Sequence, residues 1–201
     1  MIKVIAVDLG GVLFADGSTT FDTLEKKYGY DPEIIKSLIT GKASLKHEYL
    51  CGHITDQQFW NSVQVKLPDG YDAQKIRQEY YDSYVLDDDV LRLLTDLRAR
   101  YTIVAFSGNL PGRIKWLENK YQFRQLFHKE VYSFDYGCTK PDKEFIDCLV
   151  LETGVQPTEI VYIDDRADLA APAAEQGINV VIYERGKIES LAAQFAELGI
   201  I

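Results

Sequence analysis

Little in the sequence would fasten a fold covalently or bind soft metals: its 201 residues include three cysteines, three histidines and one methionine. Cys51, Cys138 and Cys148 are odd in number and form no CxxC pair, which argues against a disulfide framework and a zinc site and predicts a reducing, cytoplasmic setting. His47, His53 and His128 lack metal-ligand spacing. Basic side chains are outnumbered, 22 against 31 acidic ones, and the net charge of −9 repels a nucleic-acid backbone or an anionic membrane surface, so neither is expected as a partner. No uninterrupted apolar run approaches the length that spans a bilayer and no signal-peptide pattern is present, which predicts a soluble protein. Repeats, low-complexity tracts and Gly/Ser linkers are also missing, so any second module must be an insertion rather than a tandem domain.

What is present is a set of short, mostly β-branched apolar runs: Ile2 to Val7, Tyr101 to Phe106, Ile160 to Ile163 and Asn179 to Ile182, with a weaker one at Val131 to Ser133. They lack strict alternation and read as strands buried on both faces. Helical patterns separate them, such as Phe145, Ile146, Leu149 and Val150, or Ile188, Leu191, Phe195 and Leu198. The alternation predicts an α/β fold with a parallel, doubly wound sheet, formed by residues 1–14 and 89–201. Residues 15–88 carry helical signals with no convincing strand between them: Asp31-Pro32, Thr55 before Phe59, Trp60 and Val63, and Ile76, Tyr80 and Tyr84 at helical spacing. They predict an inserted cap of about four short helices. Inserted just after the first strand, it would sit over that strand's carboxyl end, where open α/β sheets bind ligands.

Three strong strands end in polar groups. Asp8 follows Val4 to Val7 and precedes Leu9-Gly10-Gly11, Ser107 precedes Gly108-Asn109, and Asp164-Asp165 follow Val161-Tyr162-Ile163. Singly, each has a plainer reading as a turn former or helix cap. Jointly they place carboxylates at one sheet edge, a hard-oxygen set suited to Mg²⁺ with water and phosphate completing the shell. Lys140, in Thr139-Lys140-Pro141, can add positive charge there.

Asp8-Leu9-Gly10-Gly11-Val12, Ser107-Gly108-Asn109, Lys140-Pro141-Asp142 and Ile163-Asp164-Asp165-Arg166-Ala167-Asp168 together resemble the four motifs of the haloacid dehalogenase-like hydrolase superfamily, over nearly the whole chain. The resemblance implies a Rossmann-like core with a helical cap and a phosphatase of small phosphate monoesters, in the sugar-phosphate or nucleotide class. Asp8 would attack phosphorus to give an aspartyl-phosphate. Mg²⁺ would be held by Asp8, the Gly10 carbonyl and Asp165, with Asp164 helping directly or through water. Ser107 and the Gly108 amide would bind phosphoryl oxygens, and Lys140 would neutralise charge.

The motifs depart from the common pattern at three places. Most phosphatases of the family carry a second Asp where Gly10 stands, and its acid-base role is worth about 10² to 10⁴ in rate. The Asp-Leu-Gly-Gly-Val form is similar to sugar-phosphate phosphatases with glycine at that place, so turnover is expected and phosphoenzyme breakdown is the slow step. Gly108 replaces a frequent Asn. Asp168 replaces another and is read as the cap of the following Ala-rich helix, with Pro172 near that helix start. Glu48, His53, Arg113 and Lys115 are polar groups that could face the cleft, and the favoured reading of each is a solvated surface residue. The alternatives are phosphotransferase or mutase chemistry, and a weak catalyst kept as a metabolite-binding or protein-partner module. Dehalogenation needs no metal and would leave Asp164-Asp165 without a role.

Overall fold

The apolar runs form strands because β-branched residues pack well on a pleat covered from both sides. In the computed structural model, β1 (Val4–Val7), β2 (Thr102–Ser107), β3 (Lys129–Tyr132), β4 (Ile160–Asp164) and β5 (Asn179–Ile182) make one parallel sheet in the order β3-β2-β1-β4-β5. Residues 1–15, 17–42 and 44–201 are described; Asp16 and Ala43, both inside the expected 15–88 insertion, lie outside the described residues.

Strand side chains alternate between two hydrophobic layers. Ile5, Val7, Ile103, Ala105, Val161 and Ile163 meet the apolar faces of α6 (Asp88–Leu97), α7 (Pro111–Tyr121) and α11 (Ile188–Glu197). Val4, Ala6, Val104, Phe106, Ile160 and Tyr162 meet α9 (Lys143–Thr153) and α10 (Ala167–Glu175) on the other side. The sheet is therefore doubly wound, and β1, at its centre, is completely covered.

Between β1 and α6 lie α1 (Thr20–Tyr28), α2 (Pro32–Ile39), α3 (Lys46–Leu50), α4 (Asp56–Lys66) and α5 (Ala73–Asp82). Local chemistry starts most of them. Asp31 caps α2 by accepting from Glu33 N, Thr55 and Gln58 form a capping box on α4, and Asp72 caps α5. The element in excess of the expected count is explained by α1, which has no side-chain cap, and by α3, only 5 residues long. These helices surround their own core of Leu24, Ile35, Tyr49, Trp60, Ile76 and Tyr81, joined by Leu110 from the loop after β2.

Two boundaries differ from the sequence reading. The third strand ends at Tyr132, because Ser133 opens the single turn α8 (Ser133–Tyr136). Pro172 sits well inside α10 rather than near its start. Among the described residues no helix is long and apolar enough to cross a membrane.

Candidate active site

The parallel register brings the acidic motifs together. Val7 pairs with Ile163, so Asp8 and Asp164, the next residue on each strand, lie side by side; Asp8 N donates to Ile163 O at 2.9 Å. One carboxylate oxygen each from Asp8, Asp164 and Asp165 lies within 4.8 Å of the others. Gly11 makes room for this approach. At its φ of +81° a Cβ would lie 2.2 Å from the Asp165 carboxylate carbon, a position open only to glycine.

Lys140 is the counter-ion. Its Nζ lies 3.1 Å from Asp8 Oδ2 and 2.7 Å from Asp164 Oδ2, and donates to the Tyr162 hydroxyl at 2.7 Å. Tyr162 in turn donates to Asp164 Oδ2, and Arg166 N donates to Asp164 Oδ1 at 2.8 Å. Burial by itself would lower the Lys140 pKa, but the Asp8 and Asp164 carboxylates outweigh it and hold the ammonium above its ordinary value. Burial raises Asp8, with Lys140 opposing and Asp164 adding to the rise. Burial, then the Asp8 and Asp164 charges, push Asp165 up to about 6. Asp8 Oδ1 is buried and has no hydrogen-bond partner among the described residues.

An orphaned carboxylate oxygen, two raised carboxyls and an all-oxygen donor set around one ammonium fit a small hard dication. An open depression of about 360 Å³, lined by Gly11, Ser18, Asp165, Tyr183, Glu184 and Arg185, leads to Asp165 from solvent.

Ser107 ends β2 and is buried with Asn109, whose amide nitrogen donates to Ser107 Oγ at 3.4 Å. The Asn109 backbone N–H donates to Ser133 Oγ at 3.2 Å, and Ser133 donates onward to the Leu50 carbonyl in α3 at 2.6 Å. At Gly108 a Cβ would meet Thr139 Oγ1 at 2.6 Å, which explains why a side chain is absent there. The cap also docks on the start of α7: Gly112 N donates to the Tyr49 hydroxyl at 3.1 Å, and Tyr49 donates to Asp56.

Gly10 is covered from the cap. A Cβ there would sit 3.4 Å from Tyr84 Cε1, so the aromatic ring borders the place a second carboxylate would occupy. Against that ring lies Arg113, its guanidinium 3.9 Å from the Tyr84 centroid and 4.5 Å from that of Tyr80. Arg113 is 4% exposed, not solvated, because the cap aromatics close over it. Its Nη1 donates to Asn109 Oδ1 at 3.3 Å, while Nε and Nη2 are buried without partners. Burial by itself would raise the Tyr80 phenol, but Arg113 and Lys46 outweigh it and hold it below its ordinary value. Lys115 is exposed, and Glu48 and His53 pair with each other at 2.9 Å near the surface.

Asp168 is not a cap. The N-cap position of α10 is Arg166, and Asp168 is the second residue of the helix, exposed and paired with the Arg166 guanidinium at 2.5 Å. The structure thus brings Asp8, Gly10, Ser107, Gly108, Lys140, Asp164 and Asp165 to one sheet edge and leaves Asp168 outside. It adds Tyr162, Asn109 and Arg113. Tyr162 was detectable, being two residues before Asp164 and so on the same strand face. Arg113 is a cleft-facing candidate, but its burial left no signal, because the rings that cover it come from the cap.

A family model of haloacid dehalogenase-like hydrolases matches residues 2–177. An uncharacterised protein of Dictyostelium discoideum is 38% identical, the alignment covering 98% of this chain and 97% of that one. A chloroplast flavin mononucleotide hydrolase of Arabidopsis thaliana is 30% identical over 131 residues, 65% of this chain and 52% of that protein. Among solved structures, a Bacteroides thetaiotaomicron enzyme of the same family, crystallised with magnesium and inorganic phosphate, superposes with a TM-score of 0.79 at 22% identity, covering 93% of this chain and 96% of that one. An L-2-haloacid dehalogenase of Xanthobacter autotrophicus reaches a TM-score of 0.67 at 19% identity, covering 100% and 85%.

Proposed function

The chain belongs to the haloacid dehalogenase-like hydrolases, and from that premise we propose that it is a Mg²⁺-dependent phosphatase of small phosphate monoesters, of the sugar-phosphate or nucleotide class. The observation that carries the reading is the buried Asp8 carboxylate, one oxygen held by Lys140 and the other without a partner, beside Asp164 and Asp165. The magnesium and phosphate in the Bacteroides relative, and the phosphate ester named in the Arabidopsis relative's activity, lend it support.

Asp8 is the nucleophile. Its carboxylate oxygen bonds to phosphorus as the ester P–O bond breaks, and the bonding pair leaves with the alcohol oxygen, which takes a proton from water. A second water then attacks phosphorus and releases Asp8 and inorganic phosphate. Ser107 Oγ and the Gly108 N–H face the phosphoryl oxygens, and Lys140 keeps Asp8 ionised and balances the charge that accumulates on the transferring group. Asp8, Asp164, Asp165 and the Gly10 carbonyl would hold Mg²⁺, which supplies electrostatic screening between the carboxylate and the phosphate.

Gly10 gives no carboxylate to protonate the leaving group or activate water, so breakdown of the aspartyl-phosphate is the slow step, by about 10² to 10⁴ relative to an assisted reaction. The same observation favours a second reading, phosphoryl transfer to an acceptor alcohol, for which a long-lived phosphoenzyme is an advantage. The test is phosphate release from a panel of phosphomonoesters with and without Mg²⁺, for the wild type beside Asp8→Asn. Metal-dependent release lost in Asp8→Asn supports the phosphatase. A stable labelled phosphoenzyme whose label passes to an added acceptor alcohol as a new phosphate ester supports transfer, and phosphate release that survives EDTA overturns both.

A further inference from the structure

A guanidinium without an anion is an unusual thing to bury, since desolvation of the charge is not repaid by stacking alone. Arg113 is in that condition. The rings of Tyr80, Tyr81 and Tyr84 lie against it, Asn109 takes one N–H and the Tyr80 phenol pairs with it, yet Nε and Nη2 are buried without a hydrogen-bond partner among the described residues. Lys46, from α3, approaches the hydroxyl of the same Tyr80. The cap side of the site thus holds two cations, in a chain whose net charge is −9.

The position of this pair relates it to the reaction. Arg113 is linked to the phosphate loop through Asn109, whose side-chain oxygen accepts from Arg113 and whose nitrogen donates to Ser107. Tyr84, which carries the guanidinium on one face, borders Gly10 with its edge. A group seated on Arg113 would therefore be tied to Ser107 through one intervening side chain, Asn109, with contacts of 3.3 Å and 3.4 Å.

We infer that Arg113, seconded by Lys46, is a subsite for a second oxyanion on the substrate: the ester is a small molecule whose alcohol portion carries a carboxylate or another phosphate. A carboxylate or phosphate would satisfy Nε and Nη2 as a fork, the geometry in which guanidinium binds such groups best. The inference rests on the phosphatase reading for its substrate, but it is tested by binding.

The experiment is calorimetric titration of the full chain bearing Asp8→Asn, loaded with Mg²⁺, using ligand pairs that differ only in the second anion. Glucitol 6-phosphate is compared with 6-phosphogluconate, glycerol 3-phosphate with 3-phosphoglycerate, and fructose 6-phosphate with fructose 1,6-bisphosphate. The doubly anionic member should bind about 10- to 100-fold tighter, and the first two pairs against the third tell carboxylate from phosphate. Arg113→Gln in the same background should lower that ratio to about unity, and Lys46→Met should lower it in part. Should Arg113→Gln fail to fold, Lys46→Met and the unsubstituted pair ratios still decide. Equal affinities within every pair, or no binding of any ligand, overturn the inference. Absence of phosphate release from the wild type, with the pair ratios intact, would instead overturn the phosphatase reading and leave the subsite standing.

Discussion

Replacing Lys140 with methionine keeps the aliphatic stem and removes the ammonium, and the structure gives the consequence a size and a sign. The charge lies 3.1 Å from Asp8 Oδ2 and 2.7 Å from Asp164 Oδ2. At an effective dielectric of about 20, each contact is worth roughly 5 kcal/mol of Coulomb attraction. Desolvation offsets much of this, and breaking a buried pair on one side typically destabilises by about 3 to 5 kcal/mol. Burial holds the Asp8 pKa above 3.8 even with Lys140 in place, and removing the lysine raises it further. A carboxyl whose folded pKa exceeds its unfolded one destabilises when ionised, so the defect is full above the folded value and fades as pH falls through it. Urea unfolding of Lys140→Met should therefore show a loss of about 3 to 5 kcal/mol near neutral pH, partly recovered at mildly acid pH or by added Mg²⁺. A loss that is the same at both pH values and indifferent to Mg²⁺ would refute the electrostatic account and leave only lost packing.

Three further outcomes follow from the same geometry. Gly11→Ala places a methyl on the Asp165 carboxylate at a φ of +81°; it should destabilise by about 1 to 3 kcal/mol in thermal unfolding and weaken Mg²⁺ binding in calorimetry. Because Asp165 is raised to about 6, protons compete with the metal early. Mg²⁺ affinity should fall about tenfold per unit below about pH 6, whereas a flat affinity down to about pH 4 would mean that Asp165 titrates like an ordinary aspartate. Tyr162→Phe removes the hydroxyl shared by Lys140 and Asp164 and should destabilise by about 1 to 3 kcal/mol, measured by urea unfolding, with no change in the fold by circular dichroism.

The strand-end residues were legible in the sequence because their positions follow from local rules. Asp8 and Asp164 each end a β-branched run, and parallel pairing then puts them side by side without further information. The reading was poorer where a residue's surroundings are assembled from distant segments. Arg113 reads as an ordinary helical cation, yet Tyr80 and Tyr84, some thirty residues earlier, bury it. Asp168 reads as a helix cap, but α10 begins one residue before it, at Ala167, and a neighbouring guanidinium takes its charge. The last residue assigned to the third strand failed for a similar reason. Ser133 has its hydroxyl occupied by Leu50 of the cap and by Asn109, contacts that no periodicity announces.

That serine has a consequence for motion. One hydroxyl receives the phosphate loop at Asn109 and gives itself to the cap at Leu50. If the cap swings clear to admit a substrate, the proton donated to Leu50 must find another acceptor, and the hydroxyl that receives Asn109 is reoriented as it does. The loop beside Ser107 and the cap thus share one hydroxyl, so a displacement of either changes what the other is bonded to.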